Sequence, residues 1–190
     1  MQNLKCDLFL AVTDQVIVEG VQETYEQAFG RCRTTCIQDQ SCYSRESLAA
    51  ALADPDYLKF ILRDGDRVTA FVLATSNLDK ARVTFVNPQR LEALYPDEVK
   101  AGKLWYFTAI AVRPECQGLG YTAPLFDLIT DNALKERAGI VFDFSVEKNA
   151  ALPQLLIRAS ARAMKKFGYP NPDPKYQSLG GQEYGILRLL

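Results

Sequence analysis

LWYFTAIAVRPECQGLGYTAPLF, residues 104–126, joins three unlike pieces of sequence. Leu104 to Val112 is almost wholly apolar, the pattern of a central strand covered on both faces. Two glycines one residue apart, Gly118 and Gly120, then sit in a turn that opens on a helix, expected from about Tyr121 to Arg137. Pro124 falls in the first turn of that helix, where a missing backbone N–H costs least. A strand, a turn and a helix start in this order aim several unpaired N–H groups at one point, and the helix dipole adds to their pull on an anion. Without a Cβ at Gly118 or Gly120 a phosphate can approach closely, and a positive φ is cheap. Pro114 and Gln117 fix the approach and offer one further hydrogen bond. The plain alternative is that the glycines only make a tight turn.

Two nucleotide motifs compete for this segment. A Walker A loop needs GxxxxGK followed by Ser or Thr, and no such string occurs. GLGYTA does have the GxGxxA form of a dinucleotide fingerprint. However, PECQ makes the turn long for that motif, and the segment opens too far along a short chain to leave room for a substrate domain beyond it. Asp143 lies near the distance of a ribose-binding acid, but inside the next strand rather than at its end.

Toward the N-terminus, LKCDLFLAV (4–12) alternates loosely and reads as a first strand. TDQVIVEGVQETYEQAF (13–29) follows as an amphipathic helix, capped by Thr13 or Asp14, with Val18, Val21, Tyr25 and Phe29 on one face. Residues 30–43 are polar, cysteine-bearing and loop-like. SRESLAAALAD is a short second helix capped by Ser44 and closed at Asp54-Pro55. YLKFILRDGDRVTAFVLATS reads as two strands joined at Asp64-Gly65-Asp66, the strongest hairpin signal in the chain. Residues 76–103 are less regular, with ARVTFV as a strand and NPQRLEALYP as a short helix opened by Pro88. An insertion of this length before a core strand is placed to shape a substrate pocket.

Beyond the glycine segment, Gly139 precedes the core strand IVFDFSV. EKNAALPQLLIRASARAMKKFGY then supplies a long helix, restarted at Pro153 and ending at Gly168. The turn NPDP leads to a closing strand, EYGILRLL. No repeat, low-complexity tract or linker breaks this order, so the chain reads as one α/β domain over residues 1–190, with an insertion at about 76–103.

Composition narrows the chemistry. The 190 residues are 48% hydrophobic and 11% aromatic, enough to fill a core, and the formal net charge of -1 gives no support to nucleic acid bound through many phosphates. No apolar run is long enough to span a membrane and no secretion leader is recognisable. Histidine is absent, which removes the usual proton shuttle, the Ser-His and Cys-His nucleophilic pairs and the commonest nitrogen metal ligand. The odd cysteine count, Cys6, Cys32, Cys36, Cys42 and Cys116, suggests free thiols in a reducing cytoplasm. The spacing of Cys32, Cys36 and Cys42 lacks a nearby fourth ligand, so no metal site is expected there without a distant partner such as Cys6 or Cys116.

The run AIAVRPECQGLGYT, followed by a helix, a strand, Asn149 and a helix ending FGY, resembles the GCN5-related N-acetyltransferase (GNAT) family. Gln117, Gly118 and Gly120 match its Arg/Gln-x-Gly-x-Gly-type loop, with Thr122 where the last small residue belongs. The element order is similar over residues 6–190. The resemblance implies a mixed, mostly antiparallel central sheet flanked by helices, and acetyl-CoA or another acyl-CoA as cofactor. It implies that the backbone of Gln117, Gly118, Leu119, Gly120, Tyr121 and Thr122 binds the pyrophosphate. It also implies that Ile110, Ala111 and Val112, on a strand splayed from its neighbour, hold the pantetheine arm, and that Asn149 contacts the cofactor.

The sequence departs from the family at two catalytic positions. The helix-end tyrosine that protonates the departing thiolate is replaced by Met164, though Gly168 and Tyr169 match the closing pair. No glutamate lies in the core strand. The remaining polar candidates for catalysis are Glu147, Tyr106 and Ser145, with Thr108, Asp143 and Tyr184 behind them. Cys116 reads as packing, too close to the pyrophosphate loop to meet a thioester. The cations of the last helix, Arg158 and Arg162 among them, form a face suited to the cofactor's phosphates or simply to solvent. The expected activity is direct acyl transfer to an amine. A non-catalytic acyl-CoA sensor and an N-acyltransferase fed by acyl carrier protein stay open. The acceptor is a small-molecule amine or amino acid before a protein, and a homodimer stays open.

Overall fold

The computed structural model describes residues 3–29, 43–81, 88–118, 120, 122–145, 151–169, 173–178 and 182–188. In chain order the elements are β1 (Leu4–Phe9), α1 (Gln15–Phe29), α2 (Arg45–Ala53), β2 (Tyr57–Asp64), β3 (Arg67–Thr75), α3 (Pro88–Leu94), α4 (Pro96–Lys100), β4 (Leu104–Val112), α5 (Thr122–Glu136), β5 (Gly139–Ser145), α6 (Leu152–Phe167), β6 (Asp173–Ser178) and β7 (Gln182–Arg188). The strands form one seven-stranded sheet in the order β1-β2-β3-β4-β5-β7-β6. Every pairing is antiparallel except β4 with β5, which α5 connects as a crossover. The expected mixed, mostly antiparallel sheet flanked by helices is therefore present.

Local chemistry explains most element ends. Asp14 caps α1, its Oδ1 accepting from the Val16 amide at 2.9 Å. Ser44 and Ser47 form a reciprocal capping box on α2. The β2–β3 hairpin turns on Gly65 at φ +60°, with Asp64 paired to Arg67. Gly168 ends α6 in the left-handed conformation at φ +75°. The first strand stops at Phe9 rather than at Val12, and α4 and β6 are elements that the sequence reading lacks. Pro174 lies on β6, an edge strand, where its missing donor is tolerated. The strand expected over 81–86 lies outside the described residues beyond Ala81, as do Cys32, Cys36 and Cys42.

Helices cover both faces of the sheet. On one face α5 and α6 pack against Phe60, Val72, Trp105, Phe107 and Phe142. On the other, α1 and α2 pack against Ile61, Phe71, Leu73, Ala109 and Ala111. Sealing each large apolar side chain contributes about 2 kcal/mol. One charged residue among the described ones shows no exposed surface. Lys59 is fully buried, and its Nζ donates to the carbonyls of Leu10 at 2.6 Å and Tyr57 at 2.8 Å, and to that of Asp54 at the end of α2. No helix among the described residues is long and apolar enough to cross a membrane.

Candidate functional site

The middle strand β4 treats its two neighbours differently. Against β3 it stays paired to its last residue, from Thr75↔Tyr106 to Ala70↔Val112. Against β5 it pairs only over Leu104↔Gly139, Trp105↔Ile140 and Tyr106↔Val141. β5 meanwhile stays laddered to β7 from Ile140 to Ser145. Among the described residues, that short parallel ladder alone joins β1–β4 to β5–β7–β6 within the sheet. Beyond Tyr106 and Val141 the strands part, and the peptide groups on that edge of β4 have no strand partner. The splay implied for Ile110, Ala111 and Val112 is present in the backbone.

A bulge sits just inside the split. Leu73 pairs with Ala109 and Ala74 with Phe107, so Thr108 is the extra residue. It reverses the facing of everything after it. Trp105 and Phe107 belong to the α5/α6 core, whereas Ala109 and Ala111 belong to the α1/α2 core. Thr108, Ile110 and Val112 are left half-exposed, a stripe leading from the bulge to the glycine segment.

Arg113 anchors the far end of that stripe. It is almost fully buried; its Nε donates to the Val68 carbonyl at 2.6 Å and its guanidinium pairs with Glu23 at 3.0 Å. Pro114–Cys116 make a single 3-10 turn. Gln117 Nε2 then donates back to the Val112 carbonyl at 3.2 Å, so its side chain braces the strand end. Gly118 and Gly120 both adopt the left-handed conformation, at φ +75° and +77°, and a Cβ at either would meet nothing within 4 Å. The glycines are there for backbone conformation rather than for tight packing against protein, and the space before them is open. No backbone acceptor among the described residues takes the amides of Gly118, Gly120 or Thr122. The first turn of α5 carries no acid, which leaves its positive end free for an anion.

The remaining candidates divide. Tyr106 stands at the closed end of the split, buried in a cluster with Leu91, Leu104 and Val141 that the helices α3 and α4 help to form. Leu78, Ala81 and the helices α3 and α4 thus cover this corner of the sheet. Ser145 ends β5, four residues up the opposite arm from Val141, or about 13 Å along the strand. Asp143 pairs in register with Tyr184 of β7. Glu147, Asn149, Leu119 and Tyr121 lie outside the described residues. Met164 is buried in the α5/α6 core, so no proton donor occupies that place. Cys116 is buried, and burial first, then the charge of Glu115, pushes its thiol pKa up, as suits packing rather than nucleophilic attack.

The cationic face of α6, open between phosphate and solvent, divides in the structure. Arg162 bonds Asp127 of α5 at 2.7 Å and Lys166 bonds Asp131, so neither is a free phosphate ligand. Both contacts advance by four residues together, which means that α5 and α6 run parallel and in step. One turn back, Arg158 stands level with Ala123, at the start of α5 beside the glycine segment. It is exposed, and no acid among the described residues pairs with it.

A mixed sheet parted after a three-residue parallel ladder, with a glycine turn and a helix start at its open end, is the GNAT fold. Solved structures agree over nearly the whole chain. The GNAT domain of S. lividans PAT matches with a TM-score of 0.61 and 12% identity, over 96% of this chain and 89% of that one. The yncA protein of Salmonella typhimurium, solved with its cofactor acetyl-CoA, matches at 0.52 and 15%, over 97% and 91%. The ribosomal-protein-S18-alanine N-acetyltransferase of Escherichia coli matches at 0.51 and 13%, over 96% and 92%. No protein-family model matches the sequence, and no curated protein matches it. At these identities the likeness establishes the fold, and the chemistry has to come from the site.

Proposed function

We propose that this chain is a coenzyme-A-dependent acyltransferase that moves an acyl group from an acyl-CoA directly to an amine. The observation that carries this reading is the parting of β4 from β5 with Gly118 and Gly120 at its mouth. The residues present fit such a ligand. Open, left-handed glycines at a helix start suit a pyrophosphate, and the unpaired edge of β4 suits the amide groups of a pantetheine arm. Arg158 is the cation assigned to the phosphate end, a narrower assignment than the whole face of α6.

The reaction needs a deprotonated amine, a held carbonyl and a leaving thiolate. The amine nitrogen bonds the acyl carbon, the carbon–sulfur bond breaks, and the proton shed by nitrogen reaches the thiolate through water. Glu147 is assigned the relay of that proton, with Tyr106 at the closed end of the split and Ser145 on its β5 arm as further polar groups. Positioning and stabilisation of the developing oxyanion supply most of the acceleration, as expected where the helix-end acid is a methionine. The acceptor assigned is a small amine or amino acid.

The test is thiol release from acetyl-CoA and longer acyl-CoAs across an amine panel, with cofactor binding measured alongside. Binding with turnover supports the proposal. Tight binding without turnover for any donor or acceptor would assign a sensing role, and turnover only with acyl carrier protein would change the donor. No binding of any CoA species would overturn the site itself.

A further inference from the structure

β4 hands over to the glycine turn at an arginine whose side chain and backbone go separate ways. The backbone of Arg113 leads on toward α5, which packs on one face of the sheet. Its side chain, 3% exposed, turns to α1 on the other face. There Nε donates to the Val68 carbonyl at 2.6 Å and Nη2 to Glu23 Oε2 at 3.0 Å. The Val68 carbonyl takes a second donor, Thr24 Oγ1 of α1, at 3.1 Å. α1 is pressed closely onto this point, since a Cβ on Gly20 would lie 2.8 Å from Val68 Cγ2. The backbone of the same arginine starts the turn. Its N–H donates to the Thr69 carbonyl at 2.9 Å, one rung beyond Val112, and its carbonyl accepts from the Cys116 amide at 2.9 Å, two residues before Gly118. A buried guanidinium is costly even when paired, and an apolar side chain is often at least as stabilising in such a place. What arginine adds is direction, because its planar fork bonds two elements at fixed angles.

We infer that Arg113, held by Glu23, is a positioning residue for the phosphate-binding turn. It fixes the angle at which the chain leaves β4, and so where the amides of Gly118 and Gly120 point. The inference rests on the acyl-CoA reading and extends it to a link between α1 and the cofactor turn. The guanidinium does not meet the ligand; it acts on the phosphate half through the backbone. The pantetheine arm and acyl group, laid along β4 ahead of the arginine, do not depend on it. A purely electrostatic role for Arg113 gives Glu23 the opposite sign: losing the acid would leave the cation uncompensated and strengthen its pull on phosphate. Positioning gives weaker binding from the same change.

Arg113→Lys keeps the charge and loses the fork. Glu23→Ala removes the partner at a side chain that is 57% exposed, so the core stays closed. Nitrogen-15-labelled protein is titrated with acetyl-CoA and with acetyl-pantetheine, which lacks the phosphates, and the amide resonances of Ile110, Gly118 and Gly120 are followed. Both variants are expected to weaken acetyl-CoA about five- to tenfold and leave acetyl-pantetheine unchanged, and the double variant to lose no more than either single one. The shifts that acetyl-CoA induces at Gly118 and Gly120 are expected to shrink in both variants, while that at Ile110 stays. Unchanged or tighter acetyl-CoA binding in Glu23→Ala would overturn the assignment. So would an equal loss for both ligands, the mark of general loosening. A wild-type protein that binds acetyl-CoA no tighter than acetyl-pantetheine, or binds neither, would instead sink the glycine-turn reading and the assignment together.

Discussion

Lys59 and Thr108 lie on almost the same rung of the sheet, on strands that flank β3. Lys59 pairs with Leu73, and Leu73 pairs with Ala109 beside the bulge. Both residues bury a polar group, with opposite outcomes. The Lys59 ammonium, much the more costly group to bury, meets three carbonyls and ties the β1–α1 corner and the end of α2 to β2. The Thr108 hydroxyl, the cheaper group, meets none among the described residues. Where a buried group is fully satisfied by the protein, it serves the fold. Where it is left unsatisfied, the fold carries the cost of an unpaired group.

The largest test of this contrast is Lys59→Met. It leaves the carbonyls of Leu10, Asp54 and Tyr57 without their shared donor, and a loss of about 3 kcal/mol is expected in urea unfolding. Cofactor affinity of the folded fraction should stay at the wild-type value. A loss below about 1 kcal/mol would show that the cage does not hold this corner. The pH dependence gives a second handle. Burial lowers the Lys59 pKa to about 8 from an ordinary 10.5, with Asp54 and Asp56 opposing the shift. Between those values the unfolded chain holds the proton more firmly than the folded one, so this group makes stability rise with pH. Wild type should therefore gain on Lys59→Met from pH 8 to pH 10, and a constant difference would refute the shift.

Next in size is Gly120→Ala. Its φ of +77° is costly for a residue with a Cβ, and nothing lies near enough for the methyl group to strike. Stability should fall by about 1–2 kcal/mol from the backbone alone. Acetyl-CoA affinity should fall further than that, because the methyl group enters the space assigned to phosphate. A stability loss with unchanged affinity would reduce the glycines to turn makers.

How much of this was legible in the sequence follows from which signals are local. Ser44, Gly65 and the glycine turn act through neighbours in the chain, so their spacing alone placed them, while the cap of α1 was narrowed to Thr13 or Asp14. The apolar run LWYFTAIAV placed β4 to the residue. Its uniform hydrophobicity also hid the bulge, because a change of facing leaves no trace where both faces are buried. Thr108 stood out there only as the polar residue in an apolar run. Lys59 was invisible for the opposite reason: its partners are backbone carbonyls of Leu10, Asp54 and Tyr57, and an acceptor of that kind has no residue type. The partner of Arg162 was not legible because its acid lies on another helix, out of reach of any reading of α6 alone.

That pairing of Arg162 carries the smallest and sharpest prediction. Arg158 and Arg162 share a helix face, one turn apart, yet among the described residues only Arg162 has an acid opposite it. Arg158→Gln should weaken acetyl-CoA binding a few-fold, the size expected of one exposed charge pair, and should make binding less dependent on salt. Arg162→Gln should leave both unchanged and lower stability by at most about 1 kcal/mol. Because α5 and α6 run parallel and in step, the asymmetry follows from register: the turn of α6 that faces the start of α5 is the turn proposed to meet phosphate. Equal effects from the two substitutions would mean that the face acts as a diffuse positive patch, and the assignment to Arg158 would fall.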